Sequence, residues 1–137
     1  MRYLLDTDTC IYVINRRPRH VFDRFRKERI GDIGLSSISF AELQYGAEKS
    51  SNPARNLSAL SEYITPLEIL EFGEPEAIVY GKLRTYLERH GDTIGAMDIG
   101  AMDMLIAAHA LSTRLVLVTN NTGEFGKVPE LTIENWI

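Results

Sequence analysis

Residues 3–14 read YLLDTDTCIYVI. Three apolar residues, Tyr3 to Leu5, run into Asp6, and beyond the acid the apolar spacing turns helical, from about Thr9 to Asn15. A buried strand that stops at an acid is what a parallel α/β sheet offers at its carboxyl edge, where ligands bind. Asp8 follows two residues later, and the acid pair suits two chemistries. It matches the nucleophile and acid of a phosphatase, and equally the entrance to a metal-dependent nuclease.

The same alternation continues along the chain. Apolar runs suited to buried strands lie at Tyr3–Leu5, Ile33–Leu35, Leu67–Leu70, Leu115–Val118 and Leu131–Ile133. Helical spacing fills the intervals, over about Thr9–Asn15, Pro18–Glu28, Phe40–Lys49, Pro53–Tyr63, Pro75–His90 and Met104–Ser112. Pro18, Pro53 and Pro75 suit first helical turns, where a missing N–H costs nothing. This pattern predicts an α/β fold with a mainly parallel central sheet flanked by helices. With 137 residues, 45% hydrophobic, and no linker or low-complexity stretch, one domain over 1–137 is expected.

Composition narrows the setting. No apolar run is long enough for a signal peptide or a membrane span, so a cytoplasmic protein without membrane contact is expected. The single cysteine, Cys10, lies in an apolar segment and reads as packing. The net charge of −4 argues against a protein that coats nucleic acid, yet the charge is unevenly placed. Residues 16–29, RRPRHVFDRFRKER, carry a local charge of +5 and leave −9 for the remainder. A basic flank beside an acidic remainder suits a protein that grips a polyanion by its backbone while keeping acids for metal. The same stretch also reads as a solvated amphipathic helix with Val21, Phe22 and Phe25 inward.

The acids fall at telling places. Asp6 ends the first strand, Glu42 follows the second in LSSISFAELQYG, Asp103 opens the late helix, and Asn121 follows LVLVT. Singly, each has a structural explanation. Ser39 and Glu42 form an S-x-x-E capping box, Asn121 and Glu124 a looser one, and Asp103 suits a helix start. Together, three carboxylates at one edge repel one another unless a cation joins them. Oxygen donors with room left for water suit Mg²⁺ or Mn²⁺. The segment IGAMD occurs twice, at 94–98 and 99–103, and a five-residue copy advances a helix by about 1.4 turns, so Asp98 and Asp103 cannot share a face. The downstream MLIAAHALS would pack the helix on the sheet and assigns the working register to Asp103, although HGDTIG upstream favours Asp98. Thr7 and Thr119 flank the acids and could orient water or phosphate. Tyr12, Tyr45 and His109 read as packing or contact residues, His20 and His90 as surface, and Glu68, Glu71, Glu74 and Glu76 as a solvated turn.

LLDTDTC also resembles the opening D-x-D motif of haloacid-dehalogenase-type phosphatases, and GDTIGAMD at 91–98 resembles their later acid motif. The later motif should end a buried strand, whereas here it follows KLRTYLERH, a charged helical segment.

Four motifs in order resemble a different family, the PIN domain, and within it the VapC-type toxins of bacterial toxin–antitoxin pairs. They are YLLDTDTCIYVI, SSISFAELQYGAEKS, IGAMDMLIAAHALS and LVLVTNNTGEF, closed by IENW. The resemblance implies a PIN-like fold and a Mg²⁺- or Mn²⁺-dependent endoribonuclease with catalytic carboxylates at Asp6, Glu42 and Asp103. It implies metal ligation by these three and Asn121, with Asp98 and Asp8 as further candidates. It also implies a structured RNA substrate, the anticodon loop of initiator tRNA. Partners implied are a VapB-type antitoxin, a toxin homodimer and a higher toxin–antitoxin assembly. For the RNA backbone, the candidates are Arg16, Arg17, Arg19, Arg24, Arg26 and Lys27. Two positions depart from the family pattern: Asp8 stands where Asn is usual, and Asn121 where Asp is frequent. Those departures also suit a PIN-like module that binds RNA or protein without cutting.

Overall fold

The structure is a computed structural model that describes residues 1–90 and 100–137. Asp98 and the GDTIGAMD segment lie outside the described residues. Five strands, β1 (Tyr3–Leu5), β2 (Ile33–Ser36), β3 (Glu68–Leu70), β4 (Val116–Val118) and β5 (Ile133–Glu134), form one sheet in the order β3-β2-β1-β4-β5. Every pairing is parallel, with Leu4 opposite Gly34 on one side and opposite Leu117 on the other.

The helices among the described residues are α1 (Thr7–Asn15), α2 (Arg19–Lys27), α3 (Ser37–Glu48), α4 (Pro53–Ile64), α5 (Glu74–His90), α6 (Ala101–Thr113) and α7 (Thr122–Phe125). Covered on both faces, β1 has no exposed side and reads as a continuous apolar run. Its side chains divide by alternation. Tyr3 and Leu5 join Cys10, Val13, Val21, Leu35, Leu43 and Leu60 under α1 to α4. Leu4 joins Leu83, Leu87, Ile106, Ala107 and Leu117 under α5 and α6. The closing IENW is part of the first of these cores: Trp136 is buried and meets the Tyr3 ring edge-on at 5.3 Å.

The chain steps from β1 through β2 to β3 in one direction and fills β4 and β5 in the other. The order therefore reverses between β1 and β4, and the carboxyl ends of these two strands form the crevice where parallel sheets take ligands.

Sequence and structure differ at four places. α3 starts at Ser37, and its capping hydroxyl is that of Ser36, which accepts from the Ile38 N–H at 3.1 Å. Ser39 sits inside the helix, buried, and its Oγ has no hydrogen-bond partner, so the expected Ser39–Glu42 capping box is absent. The last strand is Ile133–Glu134, because Glu130 takes a left-handed conformation, with φ 66°, and turns the chain just before it. Glu76 is buried: one carboxylate oxygen accepts from the Gly73 N–H at 2.9 Å and the other from the Ser112 hydroxyl at 2.5 Å, tying α5 to α6. The four-residue helix α7 is too short for periodicity to reveal.

Candidate active site

At the end of β1, Asp6 does two jobs. It caps α1, with Oδ1 accepting from the Thr9 N–H at 2.8 Å, and it faces the crevice while only 5% exposed. Burial pushes its carboxyl above the ordinary aspartate range, and hydrogen bonds from Thr119 and Thr9 pull the other way. Thr119 is wholly buried at the end of β4, so its hydroxyl is fixed beneath the acid. It also accepts from the Asn121 N–H at 2.9 Å and so shapes the turn after β4.

Glu42 reaches the same edge from the second turn of α3. Half-buried, it accepts the Thr7 hydroxyl proton on Oε1 at 2.8 Å. Thr7 is the first residue of α1, so this bond joins the starts of two helices that belong to different strands.

Asp103 lies in the first turn of α6 and is half-buried. Its pKa is pushed up to about 6, first by burial and then by the negative charges of Glu124, Asp6, Glu42 and Asp8. Four carboxylates from three separate segments are thus close enough to act on a fifth. Among the ion pairs of the described residues none involves Asp6, Asp8, Glu42 or Asp103. Such an assembly is destabilising as it stands and gains from a cation.

Asn121 occupies the cap position of α7, but its side chain makes no cap bond. Instead Nδ2 donates to Glu124 Oε2 at 2.7 Å. Asn121 therefore orients Glu124, and Glu124 is the strongest of the charges acting on Asp103. In the sequence, Glu124 reads only as half of a capping box. Its signal was its place, one helical turn after β4 at the same edge. Asp8 is exposed in the first turn of α1, where a carboxylate is favoured by the helix dipole.

Among the described residues no group of three His, Cys, Asp or Glu side chains closes tightly enough to hold a metal ion on its own. The donor set nevertheless fits a hard divalent ion: all donors are oxygens, all are acidic or amide, and their mutual repulsion calls for a countercharge. Mg²⁺ keeps several of its waters and uses one or two protein carboxylates directly, so a looser acidic rim matches its coordination habit.

The basic stretch divides in two. Arg16, Arg17, Arg19, Arg26 and Lys27 are exposed. Arg24 is built into the fold, with Nε at 3.0 Å from Glu28, Nη2 at 2.7 Å from Glu134, and its guanidinium 4.8 Å above the Trp136 ring. Arg16 and Arg26 also rest on one aromatic ring, that of Phe22. No helix among the described residues is long and apolar enough to cross a membrane.

The model of the PIN domain family matches residues 3–131. Ribonuclease VapC2 of Haemophilus influenzae is 42% identical over 137 residues, covering 100% of this chain and 99% of the relative. The tRNA(fMet)-specific endonuclease VapC of Salmonella typhimurium is 41% identical over 136 residues, covering 99% and 98%. The fold superposes on the crystal structure of DNA-bound VapBC from Salmonella typhimurium with a TM-score of 0.90, at 41% identity over 100% of this chain and 99% of that one. It also superposes on VapBC2 from Rickettsia felis, bound to a promoter fragment, with a TM-score of 0.88 at 40% identity.

Proposed function

Since this chain belongs to the PIN-domain family, we propose that it is the ribonuclease toxin of a toxin–antitoxin pair, with a VapB-type antitoxin as its partner and tRNA as its substrate. The relatives named VapC ribonuclease and tRNA(fMet)-specific endonuclease span the whole chain, which supports both the activity and initiator tRNA as the target. The neighbouring VapBC structures support the antitoxin. The observation that carries the activity is the convergence of Asp6, Glu42, Asp103 and Glu124 at the crevice between β1 and β4, with the Asp103 pKa pushed up to about 6 by burial and then by the charges of the other acids.

Asp6, Glu42 and Asp103 would hold Mg²⁺ or Mn²⁺, with Asn121 acting through Glu124. The chemistry such an ion supplies when bound is water activation and neutralisation of charge at a phosphodiester. The chain's own part is positional. Thr9 and Thr119 fix Asp6, Thr7 fixes Glu42, and Asn121 fixes Glu124, so the acids face one another with little freedom to turn away. Exposed Arg16, Arg17, Arg19, Arg26 and Lys27 would grip the RNA backbone, for which shape and phosphate contacts dominate. In that role Arg24 contributes only indirectly, by bracing α2 against β5.

The phosphatase alternative gives way to the family match. The test is incubation of antitoxin-free protein with total tRNA, in Mg²⁺ or EDTA, with new RNA ends mapped by sequencing. Cuts confined to one loop and lost in Asp6→Asn would support the reading. Binding of tRNA without cuts in either Mg²⁺ or Mn²⁺ would leave an RNA-binding module and overturn it.

A further inference from the structure

His109 is a polar side chain at the centre of an apolar core, wholly buried on α6 among Ala107, Ala108 and Ala110. Its Nδ1 lies 2.8 Å from Ser36 Oγ, while its Nε2 has no hydrogen-bond partner. A buried ring nitrogen without a partner costs stability that an apolar side chain of similar size would not, so the retained polar link asks for a role.

Ser36 is the last residue of β2 and the cap of α3. Leu35 points towards α1 to α4, so by alternation Ser36 points to the opposite face, towards α6. α3 itself then packs beside α1 and α4 and also touches α6. The His109–Ser36 bond therefore crosses from the helix layer that carries Asp103 to the root of the helix that carries Glu42. The two possible tautomers of neutral His109 give the same link. Either Nδ1–H donates to Ser36 Oγ, or the Ser36 hydroxyl donates to Nδ1, and in both cases Oγ still accepts from the Ile38 N–H. The neighbourhood is braced in the same sense. The Phe72 ring stands perpendicular to His109 at 5.6 Å, and its N–H donates to Ser37 Oγ at 3.1 Å.

We infer that His109 is a positioning residue: through Ser36 it fixes the root of α3 against α6, and thereby sets Glu42 relative to Asp103. The inference rests on the ribonuclease reading, and concerns a residue that touches neither the acids nor the RNA.

The experiment uses the full chain with three substitutions at one site. His109→Asn returns a polar atom near the position of Nδ1, His109→Gln returns one near Nε2, and His109→Leu returns neither. Expected for His109→Leu is a fall in kcat of tenfold or more with KM within twofold. Calorimetric Mn²⁺ affinity should fall by a similar factor. His109→Asn should recover most of both, and His109→Gln should not. Recovery by Gln equal to that by Asn, or wild-type kcat and Mn²⁺ affinity in His109→Leu, would overturn the inference. If His109→Leu does not fold, Ser36→Ala serves. It should reproduce the loss of Mn²⁺ affinity, and unchanged affinity there would overturn the inference alone. A wild type that neither cleaves tRNA nor binds Mn²⁺ would overturn the ribonuclease reading and this inference together.

Discussion

The Thr7 hydroxyl donates to Glu42 Oε1 over 2.8 Å, so the first residue of α1 holds an acid from the second turn of α3. The residues are 35 apart in sequence and meet only because β1 and β2 are parallel neighbours whose following helices start at the same edge. A hydrogen bond to a carboxylate is worth about 1.5–3 kcal/mol. Thr7→Val, which keeps the shape and removes the donor, should therefore lower kcat by roughly tenfold or more, since about 1.4 kcal/mol is tenfold in rate. Melting should fall as well, by a few degrees, because the half-buried bond also contributes to stability. Steady-state kinetics beside a thermal melt checks this.

Asp103 makes stability depend on pH in a definite direction. Its carboxyl is raised from 3.8 to about 6 in the fold, so the native state binds the proton more tightly than the unfolded chain does. The native state is then favoured below pH 3.8, and that advantage is lost as pH rises towards 6. Above about 6 the charged form carries the full penalty. After allowance for its half-exposed setting this is about 1 kcal/mol. Asp103→Asn should accordingly melt higher than wild type at pH 7.5 by a few degrees, on the order of 3–6 °C, while losing activity. The difference should shrink towards pH 4.5.

Glu124 is the strongest of the charges that raise Asp103. Glu124→Gln should lower the Asp103 pKa below 6, as read by carboxyl NMR titration. Asn121→Ala frees Glu124 from its 2.7 Å bond and should alter the same titration. An Asp103 titration unchanged in Glu124→Gln would contradict the arrangement of the site.

Arginines of the basic stretch should separate into two classes. Arg24→Ala removes contacts to Glu28 and Glu134 and the stacking on Trp136. It should destabilise the fold by about 1–2 kcal/mol, the sum of a partly exposed ion-pair network and a cation–π contact. Its tRNA affinity should stay close to wild type. Arg17→Ala and Lys27→Ala should do the reverse, weakening tRNA binding and each reducing the salt slope by about 0.7–0.9 without altering the melt. Filter binding across a salt series distinguishes them.

β1, β2 and β4 are legible in the sequence because each is a short, mostly apolar and largely buried run, and Asp6 and Asn121 stand just beyond such runs while Asp103 opens a helix. Glu42 is legible by its place after the second strand, but the cap beside it is not. Three hydroxyls, Ser36, Ser37 and Ser39, crowd the start of the same helix. Periodicity does not say which one faces the orphan N–H groups, and the structure gives that place to Ser36. Charge counting found the basic stretch but could not show that Arg24 is spent on Glu134, 110 residues away. Glu76, grouped with solvated acids, is buried because Ser112 arrives from α6. The misses at Arg24 and Glu76 each involve a partner distant in sequence, and that is information only the fold contains.

The most direct test of the account is the rate at which the antitoxin-free wild type cuts initiator tRNA in Mg²⁺, compared with the same protein in EDTA and with Asp6→Asn in Mg²⁺. The account predicts cleavage at a single loop in the first case and none in the other two. Equal cleavage with and without chelator, or undiminished cleavage by Asp6→Asn, would contradict it.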